Sequence, residues 1–236
     1  MRKATLVLLA LGLLVATAAF AANPVRISQI YAGSGAGCTW SSKYVELFNS
    51  SGSPVDIGGW SVQYGSSTGS TFGSSTYNYV FIPAGKSIPA CGYFLIKCAT
   101  GANGTALPIT PDIDASTSSG MSPSGTGGGK LAVFSDQVTN RTCAQAQAVA
   151  VDLVGWGSST NCYETAVVPW TSGANTVVIL RGSGGLTDND NNSTDFTVVS
   201  ATANPPRNTG SSANPDCHIV TPVNTNSWGR IKTMYR

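Results

Sequence analysis

Histidine is almost missing from this 236-residue chain, where His218 is the one example. Glutamate is nearly as scarce, confined to Glu46 and Glu164. Most acid–base catalysts need a group that titrates near neutral pH, and histidine is the usual one. His218 stands beside Cys217 near the C-terminus, away from any motif, so a Ser/His/Asp arrangement has little support. A glycosidase pair could still be drawn from the two glutamates, or from one of them with an aspartate. No glycine-rich loop follows a strand and opens a helix, as phosphate binding would require. No Cys-x-x-Cys pair occurs, and a zinc site needs denser clustering of ligands than this. Charged residues make up 10% of the chain. No basic stripe runs through its body, so strong binding to nucleic acid is not expected. Only the end is locally basic, at Arg230, Lys232 and Arg236, and these read as a solvated tail.

The N-terminus reads as an export signal and is set aside from the fold. Arg2 and Lys3 supply a positive start, and Leu6 to Val15 is too short an apolar run for a permanent membrane span. Ala19-Phe20-Ala21 places small residues where a signal peptidase needs them, so residues 1–21 are the expected signal peptide. Without it the chain holds 11 cations and 11 anions, no second apolar run follows, and no transmembrane segment remains. The expected location is secreted, periplasmic or cell-surface. All six cysteines lie in the exported part, and in an oxidising compartment they read as disulfides.

The remaining periodicity is that of strands. Val25 to Ala32, Tyr44 to Asn49, Val55 to Tyr64, Tyr77 to Ile82, Tyr93 to Cys98, Lys130 to Ser135, Val149 to Trp156 and Asn175 to Arg181 are short runs rich in Val, Ile and aromatics. Gly, Ser, Pro and Asn separate them. Tyr77, Tyr79 and Phe81 fall on one face of their strand, with Val80 and Ile82 on the other. No convincing helical stripe follows the signal, although Ala144 to Ala150 has room for one turn. The pattern predicts an all-β sandwich with long Gly/Ser-rich loops at 65–75 and 116–129. Such loops bury little apolar area and are expected to be mobile. The domain is expected to span residues 22–208, with 209–236 a poorly ordered tail.

Several stretches carry a family pattern. Tyr44-Val45-Glu46-Leu47-Phe48-Asn49, a Ser/Gly turn and Pro54-Val55-Asp56-Ile57-Gly58-Gly59-Trp60-Ser61-Val62 form an opening hairpin. Ile82-Pro83-Ala84-Gly85, Gly92-Tyr93-Phe94-Leu95-Ile96, Gly129 to Phe134 and Val149 to Gly157 follow in order. An Asp/Asn loop at Thr187 to Phe196 and Pro206-Arg207-Asn208 close the series. Together they resemble the lamin-tail domain family, in its bacterial secreted form, across about residues 25–208. The resemblance implies an immunoglobulin-like β-sandwich that is not itself an enzyme. It also implies a Cys143–Cys162 bridge around the strand at 149–156. Cys38, Cys91, Cys98 and Cys217 would form two further bridges of unassigned pairing, with Cys91 and Cys98 not joined to each other. Glu46 would face water, and Trp60 would be a buried anchor sharing a face with Val62 and Tyr64.

Two sites invite chemistry. Asp188, Asp190, Asn192 and Asp195 lie on one loop, and the alternation of the first three suits hard oxygen ligation of calcium. The loop is not an EF-hand, since Ser193 and Val199 occupy the glycine and glutamate positions. An Asx-rich turn bonding its own backbone explains the same residues. Trp40, Tyr64, Tyr77, Tyr79, Tyr163 and Trp170 could instead form a sugar-stacking face, or could pack within the sheets. The resulting expectation is a binding or tethering module for a protein or cell-envelope partner. The alternatives are a carbohydrate-binding module for a polysaccharide and a metal-dependent hydrolase or nuclease using the aspartate loop.

Overall fold

The computed structural model describes residues 23–33, 35–116, 120–170 and 175–218. The expected signal peptide and residues 219–236 of the expected tail lie outside the described residues. Fourteen strands follow in chain order. They are β1 (Val25–Tyr31), β2 (Ser42–Asn49), β3 (Val55–Asp56), β4 (Ser61–Ser66), β5 (Thr71–Phe72), β6 (Tyr79–Phe81) and β7 (Ser87–Ile88). Then come β8 (Tyr93–Thr100), β9 (Ile113–Asp114), β10 (Gly129–Phe134), β11 (Arg141–Thr142), β12 (Asp152–Trp156), β13 (Val177–Arg181) and β14 (Phe196–Ser200). Helices α1 (Cys143–Val149) and α2 (Asn192–Asp195) are short.

Two sheets carry the fold. One has six strands in the order β14-β13-β1-β2-β8-β9, and the other four in the order β12-β10-β4-β6. Every pairing is antiparallel except β8 with β9. Alternation decides which side chains meet. Ile27, Val45, Leu47, Phe94 and Ile96 from the larger sheet pack on Val62, Leu131, Val133, Val154 and Trp156 from the smaller. Trp156 is fully buried and its indole donates to Ser124 O at 3.0 Å. Its strand neighbour must be glycine: a Cβ at Gly129 would sit 2.8 Å from the rings of both Tyr64 and Trp156. Trp60, the expected anchor, is only half-buried against the same core, because it precedes β4 at its edge.

The outer face of the larger sheet is covered too, which the strand pattern does not announce. Every residue of β2 is buried. The cover comes from the C-terminal segment 201–218, which crosses the sheet as a strap. Gln29 donates to Asn204 O, Asn208 to Thr110 O, and Asn214 to Ser183 O. Cys217 is bridged to Cys91 at the far end. Residues 209–218 thus belong with the sandwich.

The strap corrects the expectation that Glu46 faces water. Its carboxylate is fully buried, accepting from Ser28 Oγ at 2.6 Å, Arg207 N at 2.6 Å and Arg207 Nη2 at 2.7 Å. The Arg207 guanidinium lies 3.6 Å above the Tyr93 ring. Burial pushes the Glu46 carboxyl above its ordinary range, although Arg207 and Ser28 pull it back.

Other local differences have local causes. The 149–156 run begins as α1, because Thr142 and Gln145 form a reciprocal capping box at its start. The bridge Cys143–Cys162 is present, as the family resemblance implied. The loop before β10 is packed rather than loose: Met121 is buried in the core, and Gly125 O accepts from the Trp170 indole. The 65–75 loop contains β5, which pairs with β11.

Candidate functional site

The last residue of β13 organises the closed end of the sandwich. Arg181 is fully buried. Its Nε donates to Ile27 O at 2.8 Å, and Nη2 donates to both Asp152 oxygens at 2.8 Å. Nη1 reaches Thr187 O at 3.1 Å and Asp188 Oδ1 at 3.2 Å. The guanidinium lies 4.3 Å above the Phe196 ring. Burial opposes its charge, but Asp152 and Asp188 more than offset this and raise its pKa. Strand alternation points Asp152 inward from β12, where Ile27 N also donates to it.

Three of the four residues expected to hold calcium, Asp188, Asn192 and Asp195, have protein partners of their own. Asp188 accepts from Arg181 and forms an ion pair with Arg26 Nε at 2.8 Å. Asp195 turns onto its own loop, accepting from Asn189 N at 2.9 Å, Asn191 N at 3.2 Å and Asn189 Nδ2 at 2.7 Å. Asn192 points into β12, accepting from Gly155 N at 2.9 Å and donating to Leu153 O at 2.9 Å. Asp190 is exposed. The Asx turn of this loop is made by Asn191, whose Oδ1 accepts from Ser193 N at 3.2 Å. The carboxylates that do approach one another are Asp152, Glu164 and Asp188, with one oxygen of each inside 4.8 Å of the others. Arg181 already supplies the positive charge between two of them.

Glu164 has no arginine of its own. It accepts from Asn192 Nδ2 at 2.8 Å and borders a cleft of about 400 Å³ with Tyr163, Thr165 and Asp190 over an apolar floor of Ala146 and Leu153. Burial, then the Asp152 carboxylate, push its pKa up to about 8. A carboxyl raised this way is protonated in the folded state where the unfolded chain is already ionised. Its contribution to stability is therefore complete below its ordinary value of 4.5 and lost as pH rises to about 8. Urea titrations across that window should show Glu164→Gln losing less stability with rising pH than the native chain. Parallel pH profiles for the two proteins would contradict this.

A second feature lies on the smaller sheet. β6 is its edge strand. Val80 and Ile82 face the core and Phe81 faces outward, 37% exposed, as alternation predicts, but the strand expected from Tyr77 begins at Tyr79, and Tyr77 stands 68% exposed on a 3-10 turn at Thr76–Asn78. The Tyr79 and Phe81 rings stack with centroids 4.4 Å apart, forming a ridge. A groove of about 370 Å³ runs beside it, lined by Tyr79, Phe81, Pro83, Ile113 and Asp114. Of the six aromatics expected as a sugar face, Tyr79 belongs to this ridge, and Tyr77 is exposed on the turn that leads into it. Tyr64 is buried 6.3 Å from Trp156, Trp40 packs on the opposite sheet, Trp170 packs against the core, and Tyr163 borders the Glu164 cleft. Phe81 completes the ridge, and its spacing from Tyr79 was the signal.

A two-layer β-sandwich whose interior carboxylates are met by Arg181 from β13 and Arg207 from the strap is a domain of the immunoglobulin-like class. The family model for the Lamin Tail Domain matches residues 18–200, and the chain belongs to that family. Comparison with curated proteins gives no match. Among solved structures, a DUF4876 family protein from Bacteroides thetaiotaomicron VPI-5482 is similar at 11% identity, with a TM-score of 0.49, over 84% of this chain and 74% of that one. No helix among the described residues is long and apolar enough to cross a membrane.

Proposed function

We propose that this chain is an exported, non-catalytic lamin-tail domain that tethers a protein or cell-envelope partner through Tyr77 and the Tyr79–Phe81 ridge. The observation carrying this reading is the contrast between the two kinds of residue. Glu46, Asp152 and Arg181 are held inside the fold, whereas the ridge presents large aromatics to solvent on a sheet edge. Aromatic residues dominate binding energy at such surfaces. The expected extracytoplasmic location accords with the two disulfides.

The test uses the purified mature chain and the envelope fraction of its host. Tyr77→Ser/Phe81→Ser should weaken retention on the envelope at least about tenfold, the effect of losing one hot spot. Its melting temperature should fall only slightly, because Tyr77 is exposed and Phe81 loses little beyond its stack on Tyr79. Undiminished retention would remove the ridge from the binding surface. A polysaccharide partner is the second reading, favoured by the ring pair beside the Asp114 carboxylate. It predicts that protease-treated envelopes retain the native chain and that soluble wall glycan releases it.

A further inference from the structure

Four of the six cysteines are bridged, and Cys38 and Cys98 are left as thiols. Both are found at the same end of the sandwich, and both act electrostatically on Lys43. Cys98 points inward from β8 and is fully buried among Met121 and its core neighbours. Cys38 is half-exposed on the β1–β2 connection and hydrogen-bonds the Tyr31 hydroxyl. The connection runs beside the end of β8: Gly101 N donates to Ser41 O at 2.7 Å, and Ser42 is the register partner of Thr100. A cavity of about 260 Å³ is lined by Cys38, Lys43 and Ala99, the residue next to Cys98. It gives the Cys38 side chain room to move, and Gly35 and Gly37 in the left-handed region give its backbone freedom to follow.

Lys43 supplies the chemistry. Its side chain is buried, and Nζ donates to neutral oxygens, Ser122 Oγ at 3.0 Å and Pro123 O at 2.6 Å. A thiolate beside it would be both stabilised and useful as a counter-ion, which is the setting that activates cysteine for disulfide exchange. Cys98 cannot begin that exchange, since burial pushes its thiol up to about 12. Cys38 can.

We propose that Cys38 and Cys98 form a third disulfide in the exported protein, closing the β1–β2 connection onto β8. The Cys38 thiolate attacks a small-molecule or protein disulfide of the oxidising compartment, forming a mixed disulfide and releasing one thiolate. The sulfur of Cys98 then attacks that of Cys38, its proton passing to the second departing thiolate. Two protein thiols are oxidised by two electrons, and one external disulfide is reduced to two thiols. The proposal depends on export and is independent of any partner at the aromatic ridge.

The mature chain, purified from its export compartment without reductant, is denatured and treated with N-ethylmaleimide. The expected result is no adduct, and proteolysis should yield a peptide pair joined through Cys38 and Cys98. Adducts on both cysteines, persisting after incubation in a glutathione buffer poised as in an oxidising compartment, would overturn the proposal. Cys98→Ser should leave Cys38 as the one modified thiol. Finding Cys38 bridged instead to Cys91 or Cys217, in either protein, would overturn it as well.

Discussion

Arg181→Ala should lose about 3–5 kcal/mol of folding stability, the cost of stripping one partner from a buried ion pair. Domains of this size hold roughly 5–15 kcal/mol in all, so the variant should be marginal or unfolded. The size of the effect comes from what is left behind. Asp152 is buried, and without the guanidinium its carboxylate keeps one protein donor, Ile27 N. Ile27 O loses the donor it had in Arg181 Nε, and the Phe196 ring loses the cation above it. Urea denaturation followed by tryptophan fluorescence reads the loss. The companion Arg181→Met/Asp152→Leu removes both charges and refills the volume, so it should recover a large part of the stability. A single variant within about 1 kcal/mol of the native chain would show that water or rearrangement satisfies Asp152, and that the pair is peripheral to stability.

Removing the Cys91–Cys217 bridge should be nearly as costly. The two residues are 126 apart, and in the chain-entropy account a ring that long stabilises by about 4–5 kcal/mol. Cys91→Ser/Cys217→Ser should therefore lower the denaturation midpoint and steepen the slope, because the uncrosslinked unfolded chain exposes more surface. Its local effect is the sharper test. The bridge fastens the strap, so residues 201–217 should become the first protease site. Hydrogen exchange in β2 should rise around Glu46, whose partner Arg207 is on the strap. A variant with the native midpoint and an uncut strap would mean that the Arg207 contacts alone hold the segment.

Much of this fold is legible in local sequence, and the rest is missing for a definite reason. Alternation placed Val45 and Leu47 toward the core, and Val80 and Ile82 opposite Phe81, but it did not show that Tyr77 belongs to a 3-10 turn before the strand. The Pro83-Ala84-Gly85 turn and the short Gly-bounded strands read directly. A strand's pattern reports its own two faces, however, and cannot say what arrives from far along the chain. Glu46 reads as solvated because the strap that covers it lies 161 residues away. Arg181 reads as the polar end of a strand because Asp152 and Asp188 come from other segments. The Asp188–Asp195 loop carries the composition of a cation site and of an Asx turn alike, and its bonds to Arg181 and to β12 depend on neighbours that local composition does not name. β14 escaped notice because Thr197 and Ser200 interrupt a short run following that loop, where an exposed edge strand needs few apolar residues.

The pairing of Glu46 with Arg207 also bears on when the protein can fold. β2 precedes Arg207 by a long stretch of chain and carries an acidic side chain in the middle of an interior strand. Until Arg207 is in place, that strand has a face it cannot bury without stranding a charge. The first strands are thereby kept from settling prematurely into a native arrangement. Closure of the larger sheet waits on the C-terminal segment, so the strap serves as the latch of the finished fold.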